Sequence, residues 1–186
     1  MTQASAEMRW FGTGEPPEAL DAAFGHLTLA NEERRRDLYL RLPPASDTVG
    51  IKFRRGKVEV KAMTAAARDV ALLGGLVGRL EVWVKWSLDL TAVEGSLGLE
   101  AAFRNSGPVA AVTKVRRQRK FERPRGRSRA PIEAHVLRAV SPEAHVARGC
   151  NVELTRLGGD SEVCDPHRWT FGFEAYGWIS PTPPPS

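Results

Sequence analysis

The stretch VGIKFRRGKVEVKA, Val49–Ala62, decides how this chain folds. Ile51 and Phe53 share one face of an extended segment and Lys52 and Arg54 the other. Beyond a tight RRGK turn, Val58 and Val60 oppose Lys57, Glu59 and Lys61. A period of two on both sides of a glycine-containing turn predicts a β-hairpin. Its charged face either meets bulk water, as in an ordinary hairpin, or lines the inside of a closed sheet and forms part of a site for an anionic ligand.

The same texture extends outward in both directions. Alternating or β-rich runs stand at 7–11, 36–42, 57–62, 78–90, 111–121, 132–140, 150–157 and 169–178, separated by Gly, Pro, Asn or Asp. Helical signals are sparse. EPPEALDAAFGHL (15–27) opens on prolines suited to a first turn, and LTAVEGSLGLEAAFRN (90–105) is weakened by Gly95 and Gly98. Eight or nine antiparallel strands with few helices to cover a face predict a mainly β (α+β) fold. A closed, tunnel-like barrel or a sandwich would hide both apolar surface and strand edges. The sequence predicts one domain over 1–179 and a proline-rich, disordered or extended tail over 180–186.

Charge is localised. Between Lys114 and Arg129 nine basic residues meet one acid, a local +8 that leaves the rest of the chain at −3 out of a total of +5. Arginine outnumbers lysine 21 to 6, which suits bidentate phosphate recognition. In 111–121, Lys114, Arg116, Gln118 and Lys120 share one face and Arg117 and Arg119 the other, so this strand is basic on both sides. One solvated face does not explain that pattern outside an edge or a loop. The segment 114–129 also offers a nucleic-acid interface, with Phe121 alone for stacking.

Other chemistries are weakly supported. No run approaches the roughly 20 apolar residues of a bilayer span, and the first ten residues lack the pattern of a secretory signal, so no membrane association and a cytoplasmic location are expected. Cys150 and Cys164 make no disulfide framework, and CDPH (164–167) lacks the ligand set of a zinc site. His26, His135, His145 and His167 fall in unrelated contexts, no nucleophile elbow or Walker loop occurs, and no catalytic residue is assigned. Of the five tryptophans, Trp86 shares the apolar face of its strand and reads as core. Trp83 lies on the charged face, where it would stack on a ligand or fill a tunnel. A barrel with no ligand, serving as an interaction module, is a further alternative.

The order of these motifs resembles the CYTH superfamily, the triphosphate tunnel metalloenzymes, whose eight-stranded tunnels carry basic residues for a triphosphate and glutamates for a divalent metal. EMRWF stands where the family has E-x-E-x-K, and KFR (Lys52, Arg54) where it has R-x-R. EVK (Lys61) follows as T-x-K, and EVW (Glu81) as E-x-E. TKVRRQRKF (Lys114, Arg116) then stands for K-x-R and VELTRL (Glu153) for the closing acidic strand, leaving WTFGFEAYG with Glu174 as a terminal addition. The resemblance implies a phosphorylated small-molecule or polyphosphate ligand, bound by Arg9, Lys52, Arg54, Lys61, Lys85, Lys114 and Arg116. It also implies Mg²⁺ or Mn²⁺ on Glu7, Glu81 and Glu153 and, if the protein is an enzyme, metal-dependent triphosphate hydrolysis. The departures bear on the metal. Arg9, Trp83 and Thr155 replace family carboxylates and Phe11 replaces a lysine, so the anion-binding half is better kept than the oxygen ligands that Mg²⁺ requires.

Overall fold

The computed structural model describes residues 2–25, 32–42, 44, 46–90, 96–122, 132–133, 148–159 and 168–177. The four histidines, Cys164, the CDPH group, the arginines at 123, 125, 127 and 129, Trp178, the run 134–140 and the tail 180–186 lie outside the described residues.

The chain runs β1 (Thr2–Thr13), α1 (Glu18–Gly25), β2 (Glu32–Leu40), β3 (Val49–Arg54), β4 (Lys57–Met63), β5 (Arg68–Ala71), β6 (Val77–Asp89), α2 (Ser96–Asn105), β7 (Val109–Glu122), β8 (Ile132–Glu133), β9 (Gly149–Gly159) and β10 (Arg168–Tyr176). Eight strands close into an antiparallel barrel in the order β1-β10-β9-β7-β2-β3-β4-β6. β1 completes the ring by pairing with β6 through Thr2–Met8 and with β10 through Ser5–Thr13. Closure leaves no edge on the ring, which answers the edge problem that a nine-strand pattern with two short helices poses. β5 is an extra strand on the far end of β6, and β8 is a two-residue pairing on β7.

The hairpin expected over 49–62 forms, as β3 and β4. Its two-residue turn, Arg55–Gly56, has both φ values positive, at 50° and 74°, as a turn matched to strand twist requires. Strand bounds differ at several points. β2 begins at Glu32, ahead of the anticipated 36, because EERRR continues the alternation with charged residues on both faces. β1 spans 2–13 and α2 starts at Ser96. β5 escaped notice because four residues with charges at two positions carry too little pattern. β10, expected as a terminal addition, is an integral wall strand with nine-residue ladders to both β1 and β9.

The barrel is polar inside and apolar outside. Among the described residues the buried set holds seven apolar side chains and eight polar or charged ones, including Glu7, Asp37, Glu59, Glu122 and Glu153. The packed hydrophobic contacts lie on the outer wall. Phe24 of α1 meets Phe171 edge-on, Trp10 stacks on Phe171, and Phe103 of α2 lies 5.8 Å from Phe53. Trp86, expected in the core, is 45% exposed on the outer face, while Trp83, on the inner face, is buried. The expectation failed because in a barrel with a polar lumen the apolar face of a strand points outward, where nothing among the described residues covers Trp86 as α1 and α2 cover Phe171 and Phe53.

Outer charges on β7 follow from the same geometry. Arg117 bonds Asp21 of α1, Arg119 donates to the Ala23 carbonyl at 3.3 Å, and Arg156 reaches Asp21 and Glu15. Thus β7 is basic on both sides because one side faces the lumen and the other faces a helix.

Candidate functional site: a charged lumen

The lumen is a cavity of about 920 Å³. It holds nine of the ten residues that the sequence nominated. Arg9, Lys52, Arg54, Lys61, Lys85, Lys114, Arg116, Glu7 and Glu153 all line it. Glu81 does not. It sits in register with Glu7, but its carboxylate accepts from the Trp83 indole N–H at 3.0 Å and lies 3.8 Å from Arg79. Trp83 is buried beneath Lys61, whose ammonium stands 4.7 Å from the ring centre, so the indole fills this part of the barrel and carries a cation on its face.

The buried carboxylates of the lumen each gather at least two polar donors. Glu59 binds Lys52 at 2.8 Å and Arg54 at 2.9 Å. Glu153 accepts from Arg116 at 2.8 Å and Gln118 at 2.7 Å, with Arg9 at 3.6 Å. Asp37 is fully buried between Lys114 at 3.2 Å, Arg35 at 3.5 Å and the Tyr39 hydroxyl at 3.3 Å. Glu7 accepts from Lys61 at 2.5 Å and Ser5 at 2.9 Å. Arg9 donates to the Thr170 hydroxyl at 3.2 Å, and beside it Gly172 admits the close approach of β1, since a Cβ there would stand 2.9 Å from the Met8 carbonyl.

Titration behaviour follows from these contacts. Burial pushes Asp37 up, but the charges of Lys114, Lys52 and Arg35 reverse this and hold its carboxyl below the usual range. Burial likewise opposes, and arginine and lysine fields outweigh it for, Glu33 and Glu59, which also sit low. Burial depresses Lys52 and Lys114 against the pull of Tyr39, Glu59 and Asp37, and it raises the Tyr39 hydroxyl.

Even so, the charge does not balance. Ten basic side chains line the cavity against five glutamates, an excess of five positive charges, or four once Asp37 behind Lys114 is included. Lys61 and Lys85 face each other directly across β4 and β6, a like-charge register that costs stability in an empty barrel. Among the described residues Lys85 forms no ion pair. Sequence reasoning missed Glu33, Arg35, Asp37 and Arg55 as site residues. The alternation of Arg35, Asp37 and Tyr39 against Leu38 and Leu40 is the signal that β2 offers; Glu33 and Arg35 precede the expected strand of 36–42, and Arg55 lies in a turn where alternation says nothing.

The basic run 114–129 divides. Its five described cations are all engaged within the fold: Lys114 and Arg116 in the lumen, Arg117 and Arg119 on α1, and Lys120 on Glu122 at 2.8 Å. Among the described residues no group of three metal-ligating side chains converges, and no helix is long and apolar enough to cross a membrane.

Fold and site together define a closed antiparallel β-barrel with a cationic lumen. No protein-family model and no curated protein sequence matches this chain.

Proposed function

We propose that this barrel binds a multivalent phosphorylated anion, a polyphosphate or a phosphorylated small molecule, inside its lumen, as the resemblance to triphosphate tunnel proteins implies. The observation that carries the reading is the excess of five positive charges lining about 920 Å³ of small-molecule-sized space. Like charges in a reduced dielectric repel, and a polyanion supplies the missing counter-charge with oxygens suited to Arg and Lys donors.

The residues fit a resident Mg²⁺ or Mn²⁺ poorly. Glu7 and Glu153 are each occupied by cationic or amide donors, Glu81 is turned to Trp83, and Arg9 stands where a carboxylate ligand would be needed. Binding is therefore the primary reading, since among the described residues no set of ligands for metal-dependent hydrolysis converges. Engagement of the described part of 114–122 within the fold weighs against the nucleic-acid reading.

Thermal shifts with triphosphate, ATP and thiamine triphosphate, each with and without Mg²⁺ or Mn²⁺ and against chloride at equal ionic strength, test the proposal, because a ligand of the folded state stabilises by mass action. Triphosphate is expected to raise Tm in wild type and to do so less in Lys61→Ala and Arg116→Ala. A Tm indifferent to every anion overturns it.

A further inference from the structure

Near the β3–β4 hairpin turn, one lumen carboxylate gathers several cations. Three guanidinium groups from three parts of the chain converge on Glu33: Arg116 of β7 at 2.6 Å, Arg35 of β2 at 2.9 Å, and Arg55 of the β3–β4 turn at 3.0 Å. Two of these are anchored elsewhere as well, Arg35 on Asp37 and Arg116 on Glu153. Glu33 is the only ion-pair partner of Arg55 among the described residues, and the Arg55 side chain is 63% exposed. An ion pair so open to solvent is weak and readily exchanged.

The backbone makes Arg55 more notable. It is the one described non-glycine residue with positive φ, at 50°, in the first position of a turn where Asn, Asp or Gly is preferred because Cβ crowds the following carbonyl. Its side chain nevertheless lines the cavity beside Arg54 and Lys57. A strained arginine held at a mouth by one weak pair is poised to move.

We infer that Arg55 and Glu33 form a selecting latch at the hairpin mouth, in which Arg55 passes from the Glu33 carboxylate to the outermost phosphoryl group of the bound polyanion. Glu33 is then the ligand's internal competitor. It repels incoming anions and holds three donors that a phosphoryl group could use, so a ligand must bring enough charge to draw Arg55 away. Arginine suits the task, since its fork meets phosphate oxygens in pairs. The latch rests on the proposed lumen binding and adds a preference for long phosphoryl chains over orthophosphate.

Isothermal titration of the full chain with inorganic triphosphate and orthophosphate, at fixed low ionic strength, tests it. Arg55→Asn suits the turn, so its ligand-free Tm is expected to equal or exceed wild type while triphosphate affinity falls about fivefold, the scale of one exposed ion pair. Glu33→Gln is expected to lower ligand-free Tm yet bind triphosphate about fivefold more tightly. Stability and affinity moving in opposite directions is a signature that a purely structural residue would not give. Unchanged triphosphate affinity in Arg55→Asn, or weakened affinity in folded Glu33→Gln, overturns the latch while wild-type binding leaves the proposed function standing. A wild-type protein that binds no triphosphate removes both.

Discussion

At Asp37 the energetics of the lumen are concentrated in one side chain. Its carboxylate is wholly buried and serves Lys114, Arg35 and Tyr39 together. Asp37→Ala leaves buried Lys114 without its carboxylate partner, while Arg35 keeps Glu33 at 2.9 Å, and removing one partner of a buried pair typically costs about 3–5 kcal/mol. Urea denaturation is expected to show a loss of that order, with far-UV circular dichroism checking that the variant still folds. The acid limb of stability follows from the same group and its neighbours. Asp37, Glu33 and Glu59 have folded carboxyls held below their ordinary values of 3.8, 4.5 and 4.5. Because the unfolded chain binds protons first, their stabilisation is complete above that range and is lost as pH falls through the lower folded values. Lys52 and Lys114, although depressed, are protonated in both states at acid pH and add no slope there. Tm is expected to hold level from neutral pH to about 5 and to fall below about 4. A Tm already falling between pH 7 and 6 would contradict this.

At the scale of elements, the inner and outer faces of the strands were legible wherever alternation was clean and illegible where both faces carried charge, although β7 itself was expected as a strand over 111–121. The 49–62 hairpin and the 78–90 strand showed their faces directly because apolar and polar residues alternate over several positions, with Trp83 the exception on the charged face of the second. β2 and the outer face of β7 did not, since an arginine looking into the lumen and one lying against α1 are identical in sequence. That packing is open to test. Asp21 is partly exposed, and its Arg117 bond holds its carboxyl low. Asp21→Asn is expected to cost less than about 1 kcal/mol, with an effect that shrinks as salt is raised. Gly12 constrains β1 more severely. A Cβ there would lie 2.2 Å from the Trp169 ring, so Gly12→Ala must displace a large aromatic and is expected to destabilise by about 1–3 kcal/mol in chemical denaturation.

At the scale of the whole molecule, the barrel's excess lumen charge couples stability to its ionic surroundings. Ligand-free protein is expected to gain stability from multivalent anions far beyond the effect of chloride at matched ionic strength, with Lys85→Ala, which relieves the Lys61–Lys85 opposition, raising the ligand-free Tm while reducing the triphosphate shift. A Lys85→Ala protein with lower ligand-free Tm would show that the opposition is already neutralised within the fold. Through the family resemblance the sequence nominated ten site residues, nine of which line the lumen; by itself it determined the class of fold, the hairpin and its register, because period-two alternation fixes which side chains share a face. It left open which way that face looked. Only closure of β1 onto both β6 and β10 turned the charged face inward, and only the tertiary register brought Glu33, Arg35, Arg55 and Arg116 to one point. The physical reason is that alternation is a local property of one strand, whereas inside and outside exist only after eight strands have closed a ring.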